Sequence, residues 1–394
     1  MGGGGLAIDN LNGKPFIYQF PQRTRSLHSR RGGRPARAFA WDLTMIPTMP
    51  GAALDVLLSP PILFFGLGAA IALAGARIPF PEGFGKALAA YLLVAIGLKG
   101  GVALAGTAAG EVLPLLMTAA LLSFAMPVLA FALLRGPVGI DRVNAAAVAA
   151  HYGSVSLVTF VTAAEVLNSQ GIGFGGHMVA ALAIMEGPAI VAGLLLSGAV
   201  GAAATVGVAA GAGGGTVAVV GAGAGAGAGD VGLWRGAVRE AAFNGSVLLL
   251  AGALLVGLVI GKPGLDRLSG LFVAPWDGVL SLFLLEMGYL ATARLREAMT
   301  LNARILAFGI GMPLLGCVIG LAAARGLGLG LGETALLATL CASASYIAVP
   351  AALRHALPAA DPGLSLPLCL GVTFPFNILL GIPLYLTLAR LTAG

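Results

Sequence analysis

Apolar runs long enough to cross a lipid bilayer follow one another from about residue 57 to the C-terminus. A spanning helix needs roughly 20 such residues, because each residue advances about 1.5 Å through a hydrocarbon layer about 30 Å thick. Ten candidates stand near 57–77, 86–106, 112–135, 143–167, 176–200, 244–261, 275–294, 303–325, 333–356 and 364–390. Lipid offers backbone groups no hydrogen-bond partners, so each run must satisfy its own as a helix. The expected fold is therefore all-α: a polytopic membrane protein of ten transmembrane helices. Composition agrees, since only 10% of the 394 residues are charged, against about a quarter in ordinary soluble domains. The 61 glycines suit a bundle whose helix backbones approach closely, although a GC-rich genome would raise glycine equally.

The remaining composition excludes several classes. Cys317, Cys341 and Cys369 all fall inside predicted spans without a CxxC pair, so neither a disulfide framework nor a zinc site is implied. The net charge of +6 is no nucleic-acid signal, because seven of the 22 Lys/Arg residues lie in the first 37 positions. Residues 1–50 form a basic, glycine-rich segment without a signal-peptide core, expected either as a disordered arm or as sequence upstream of a true start at Met45 or Met49. No nucleotide-binding loop, HExxH or Gly-x-Ser-x-Gly pattern is present, so an enzyme is not expected. A hydrolase built from His151 and Ser154 would leave the repeat described next unexplained.

Residues 201–232 are almost wholly Gly, Ala, Val and Thr, and Trp234 to Glu240 lead into the next span. Such a run cannot hold one conformation against its entropy cost, so 201–240 is expected to be a flexible linker. It separates a five-span half, 51–200, from a second five-span half, 241–394. At an offset of 189–191, Gly97 meets Gly288, Arg135 meets Arg325, Ser154 meets Ser343 and Ser156 meets Ser345. An odd number of spans per half turns the second upside down, giving two inverted repeats. Loop charge from residue 51 onward divides ten Lys/Arg against four. This places the mature N- and C-termini outside and the linker in the cytoplasm. The six arginines from Arg23 to Arg37 argue the other way.

Two polar interruptions mark where chemistry can sit. They run His151-Tyr152-Gly153-Ser154-Val155-Ser156 and Leu340-Cys341-Ala342-Ser343-Ala344-Ser345, in the fourth and ninth spans. Matched breaks in two halves of a membrane chain point to a transporter's binding site. Each supplies a half-helix N-terminus that favours an anion, while hydroxyl and freed carbonyl oxygens suit a hard cation. Alternatively, such serines merely bond the preceding helical turn. Glu186 and Pro188 in span five, and Pro375 and Asn377 in span ten, add further helix breakers and an intramembrane carboxyl. Glu186 is read either as an ion or proton ligand or as a structural bond to a neighbouring break. Lys99 and Glu286 are expected in structural roles, His151 packed or facing water, and Tyr346 either at the site or in the core.

These stretches resemble the sodium-dependent bicarbonate permeases. The resemblance covers roughly residues 57–394 apart from the linker. It rests on Ile96 to Gly101, Tyr152 to Ser156 with Thr159, Glu186 to Ala189, Ser343 to Ile347 continuing to Pro350 and Arg354, and Pro375 with Gly381 to Leu384. It implies a gate part from spans 1, 2, 6 and 7, and a mobile core from spans 3–5 and 8–10. Bicarbonate and sodium would bind where spans four and nine meet, and the core would slide in an elevator-like motion. Homotrimers and inhibition by a PII-like protein from the cytoplasmic side are also implied. Two positions depart from the pattern. Tyr346 stands where well-known bicarbonate carriers have an acidic residue, and Val158 stands in place of a serine.

The expectation is thus a secondary transporter of a bacterial inner membrane, with sodium as coupling ion and no other cofactor. Its substrate residues would be Gly153, Ser154, Ser156, Thr159, Ser343, Ser345 and Tyr346. Ser156, Ser345, Glu186 and Asn377 would be sodium ligands. The alternatives are a carrier of another small anion or carboxylate, and a membrane sensor or scaffold that moves nothing.

Overall fold

A computed structural model describes residues 56–107, 109–198 and 245–392. The basic segment 1–50 and the linker 201–240 lie outside the described residues. Everything described is helix or turn, with no strand, and eight helices are long and apolar enough to cross a membrane.

Twelve main helices follow in order among the described residues: α1 (Pro60–Leu73), α2 (Phe84–Leu104), α3 (Ala109–Leu133), α4 (Arg142–Gly153), α5 (Leu157–Ser169), α6 (His177–Ser197), α7 (Gly245–Arg267, kinked at Gly261), α8 (Trp276–Ala298, after a single turn at Ser269–Phe272), α9 (Ala303–Leu327), α10 (Leu331–Ala342), α11 (Ala348–Ala356) and α12 (Pro362–Thr392). Every apolar run in the sequence corresponds to one of these helices or to a consecutive pair. Eight rather than ten reach spanning length for two reasons. Helix α1 holds only 14 residues, and the run at 333–356 is divided by a five-residue gap between α10 and α11. The run at 143–167 is interrupted too, yet α4 and α5 are nearly continuous over Arg142–Ser169.

The helices start where side chains can cap them. Asp141 accepts the Asn144 backbone N–H at 3.0 Å and its side-chain amide at 2.7 Å, which holds the Asp141 carboxyl below its usual range. Asn302 accepts from the Arg304 N–H at 2.9 Å at the start of α9, and Asp361 from Gly363 at 2.8 Å at the start of α12. Each cap satisfies a donor that the first helical turn leaves without an internal partner.

Two expected breaks are absent. Helix α6 runs unbroken through Pro188. Helix α12 widens into π-helical turns at Pro367–Thr373 and Asn377–Gly381 without parting. A proline removes one donor and crowds one carbonyl, and a single wider turn can absorb that within a packed helix.

Helix α1 lies along α8, α2 along α7, and α2 also packs on α8. Helices α3, α4 and α6 form a second packed set, joined by α9, α10 and α12. Missing side chains set the α2–α7 approach. A Cβ on Gly101 would overlap the Leu254 carbonyl oxygen, and one on Gly257 would overlap that of Leu98. The α1–α8 pair is closed in the same way by Gly68 against Leu285 and Gly288 against Phe65. Small residues thus bring backbones together where lipid gives no hydrophobic incentive to pack.

Large apolar side chains point outward from α1, α3, α7 and α9, among them Leu63, Leu67, Met117, Leu121, Leu255, Val259 and Val318. The broken pair α4–α5 is enclosed by the other helices. The interruption therefore sits in the middle of the molecule, away from its apolar surface.

Gly101→Ala should destabilise the detergent-solubilised protein by about 1–3 kcal/mol through overpacking, read as a lower melting temperature. Gly66→Ala, where an added Cβ meets nothing within 4 Å, should melt like the parent. Equal melting of the two variants would contradict the glycine-mediated approach.

Candidate functional site

The two breaks have the same local shape. Helix α4 ends at Gly153, and Ser154 turns extended with φ −82° and ψ 159°. Helix α10 ends at Ala342, and Ser343 adopts φ −88° and ψ 165°. Their positions differ by 343 − 154 = 189 residues, the sequence offset between the halves.

Leaving a helix frees backbone groups, and in a water-poor interior each unpaired group costs several kcal/mol. Here the breaks satisfy one another. The Ser345 N–H donates to the His151 carbonyl oxygen at 2.8 Å. The His151 ring returns the contact, its Nδ1 lying 2.5 Å from the Ser345 oxygen. Because a carbonyl only accepts, that nitrogen carries the proton. The Ser156 N–H donates to Ser343 Oγ at 3.0 Å, and the Ser343 hydroxyl donates to the Leu340 carbonyl at 2.9 Å. Ser156 Oγ caps α5 by accepting the Thr159 N–H at 3.2 Å.

The neighbouring spans hold this crossing. The Ser154 hydroxyl donates to Glu186 Oε2 of α6 at 2.7 Å. On the other side, Asn377 Nδ2 of α12 donates to the Ala342 carbonyl, the last of α10, at 2.9 Å. Asn377 Oδ1 accepts the Tyr385 hydroxyl at 2.7 Å. Glu186 and Asn377 are 377 − 186 = 191 residues apart, so each half supplies one polar side chain from its last span to its own break. Sequence pairing at 189 sets Glu186 against Pro375 instead; the functional register is two residues longer, as it is for Gly97 and Gly288.

Ser156, Thr159, Ser343, Ser345 and Tyr346 surround the crossing. Thr159 touches Ser156 through its amide, and the Tyr346 hydroxyl lies beside the Ser156 side chain. That neighbour does not complete a well-formed hydrogen bond, and the buried hydroxyls of both Thr159 and Tyr346 have no partner. The Tyr346 ring meets Phe374 edge-on at 5.2 Å. Gly153 faces elsewhere: a Cβ there would overlap the Pro127 ring of α3, so its missing side chain serves packing. Ser154, Glu186 and Asn377 are engaged in holding helix ends. His151 is packed, at 1% exposure. With Ser154 bonded to Glu186 and the His151 ring to Ser345, neither residue is directed at the other as a hydrolase would need.

Lys99 and Glu286 do not pair. The Lys99 ammonium sits 4.0 Å over the Trp276 ring, whereas the Glu286 carboxylate sits against Gly85 in the first turn of α2. Trp276 Nε1 donates to Glu165 Oε2 at 3.1 Å. This contact joins α8 to α5 beside a cavity of about 80 Å³ that is bordered by Ser59, Thr162, Glu165, Ser169 and Asp277. Glu165 and Asp277 are not among the expected site residues, although ionisable groups within or beside apolar spans are the available signal.

The start of α5 turns its positive end toward the crossing, and hydroxyl oxygens line it.

No curated protein matches the chain significantly. Residues 60–390 match the family model described as the Na+-dependent bicarbonate transporter superfamily, which spans both halves and both breaks. The chain belongs to the Na+-dependent bicarbonate transporter superfamily.

Proposed function

We propose that this protein couples inward movement of bicarbonate to sodium, and that both are handled where the fourth and ninth spans cross. The observation that carries the reading is the enclosed crossing itself. Two half-helix ends converge there, and two buried hydroxyls, those of Thr159 and Tyr346, lack partners. Substrate contacts fall to Ser156, Thr159, Ser343, Ser345 and Tyr346. Ser154 and Gly153 shape the first break. Ser156 and Ser345 offer sodium hydroxyl oxygens, with Glu186 and Asn377 behind them fixing the helix ends.

The ten-span, inverted-repeat reading is supported by the matching backbone at Ser154 and Ser343 and by the reciprocal α1–α8 and α2–α7 pairs. Helices α1, α2, α7 and α8 then form the gate, and the remaining helices a core that slides against it. External termini and a cytoplasmic linker follow from the loop charges, and a bacterial inner membrane is part of the same reading. A homotrimer and a PII-like regulator rest on the family resemblance alone. A second reading, another small anion or carboxylate, is favoured by Tyr346, which replaces a carboxylate with a neutral donor. A sensor or scaffold predicts no flux.

Purified protein in liposomes should accumulate labelled bicarbonate only under an inward sodium gradient. Ser156→Ala and Ser345→Ala should each lower uptake at least tenfold. Losing the Ser156 cap costs only about 1 kcal/mol of stability, so assembly should persist. Wild-type kinetics in both variants would refute substrate binding at the breaks. If the core slides, bridging Glu165→Cys to Trp276→Cys with a bifunctional thiol reagent should stop uptake until the bridge is cleaved. Undiminished flux through the bridged protein would exclude movement between α5 and α8.

A further inference from the structure

Away from the crossing, a second group of polar side chains joins the gate helices to the core. Glu165 belongs to the core helix α5, Trp276 and Asp277 open the gate helix α8, and Lys99 lies in the gate helix α2. Trp276 is 6% exposed and is engaged on two sides. The Lys99 ammonium sits 4.0 Å over its ring, and its indole N–H donates to Glu165 Oε2 at 3.1 Å. The ring face attracts the cation, and a charged acceptor makes the N–H bond one of the stronger kind. Gly100, the next residue of α2, keeps Lys99 at this seam: a Cβ there would overlap the Val179 side chain of the core helix α6. Lys99 has two anions within electrostatic reach, Glu165 and Asp277. One stands on the core and the other on the gate.

We propose that Trp276 and Lys99 latch the gate to the core through Glu165 in the arrangement seen here, and that Asp277 is the gate's own counter-charge that lets the latch open. A partly buried cation resists losing its last counter-charge, because the charge is then left unpaired away from water. A latch of Lys99 and Glu165 alone would therefore be hard to release. Asp277 shares a body with Lys99, so it stays beside the lysine wherever the core stands. The cavity of about 80 Å³ that both carboxylates border has room for water, which hydrates Glu165 as it leaves Trp276. Two carboxylates near one lysine thus act in opposite directions: Glu165 holds the core and Asp277 releases it. Charges that merely stabilise the fold would respond alike to the loss of either carboxylate.

This inference rests on the division into a gate and a sliding core, and its test separates the two. Gly326→Cys on the core helix α9 and Ala274→Cys just before the gate helix α8 are exposed positions that accept spin labels, while the native cysteines are buried. Pulsed electron–electron double resonance on the labelled full chain in lipid nanodiscs reads the distances between them. Trp276→Phe keeps a ring under Lys99 and removes the donor; Glu165→Gln keeps an acceptor and removes the charge. Each should deplete the arrangement seen here about fivefold relative to a second distance. Asp277→Asn, read in the Trp276→Phe background so that both distances are populated, should enrich it about fivefold. Adding Lys99→Met should abolish that enrichment, since no cation then needs a counter-charge. If Glu165→Gln does not fold, Trp276→Phe carries the first arm. Two distances whose ratio is unmoved by these changes overturn the latch and leave the sliding core standing. So does a ratio that Asp277→Asn moves in the same direction as Glu165→Gln or Trp276→Phe. A single distance in the wild type and every variant overturns both.

Discussion

Backbone groups released inside an apolar interior must find partners, and in this protein two interrupted helices find them in each other. The Ser345 amide and carbonyl bond His151, and the Ser156 amide bonds Ser343. Neither break is satisfied alone. A helix parted in lipid would leave several donors and acceptors exposed, each at a cost of several kcal/mol. The crossing removes that cost while keeping helix ends directed at one enclosed place.

The surrounding architecture serves that arrangement. Glu186 from α6 and Asn377 from α12 fasten the two breaks from opposite sides, and a proline of α3 fills the space that Gly153 leaves open. Ser123 donates to the Met185 carbonyl at 2.5 Å, fixing the turn of α6 from which Glu186 extends. The α1–α8 and α2–α7 pairs close through glycines, and Arg296 of α8 donates to the Ala72 carbonyl at the end of α1 at 2.9 Å.

Much of this was legible in the sequence, for identifiable reasons. The spans are legible because hydropathy sums over some twenty residues, and their helices end within a few residues of the expected limits. The breaks are legible because paired Ser-x-Ser segments contradict their apolar surroundings. A bond from Glu186 to a neighbouring break is one of its two sequence readings and is the one seen, but the partner atoms were not legible. Glu186 holds Ser154, and Asn377 holds Ala342; each contact closes only when α6 and α12 have packed. Gly153 reads as a site residue by position, yet its reason is Pro127, 26 residues earlier in the chain. Pro188 and Pro375 read as breakers, but tertiary packing keeps α6 whole and lets α12 merely widen. The Glu165–Trp276 contact joins residues 111 apart, which no local pattern reveals.

The central claim is that the crossing of the two breaks holds the transported anion. It is tested most directly by determining the protein's structure by electron cryo-microscopy in sodium bicarbonate and comparing it with a chloride control. Additional density is expected at the start of α5 in bicarbonate, within hydrogen-bond reach of the Thr159 and Tyr346 hydroxyls. Density confined to the cavity beside Glu165 and Asp277, with the crossing the same in both maps, would contradict it.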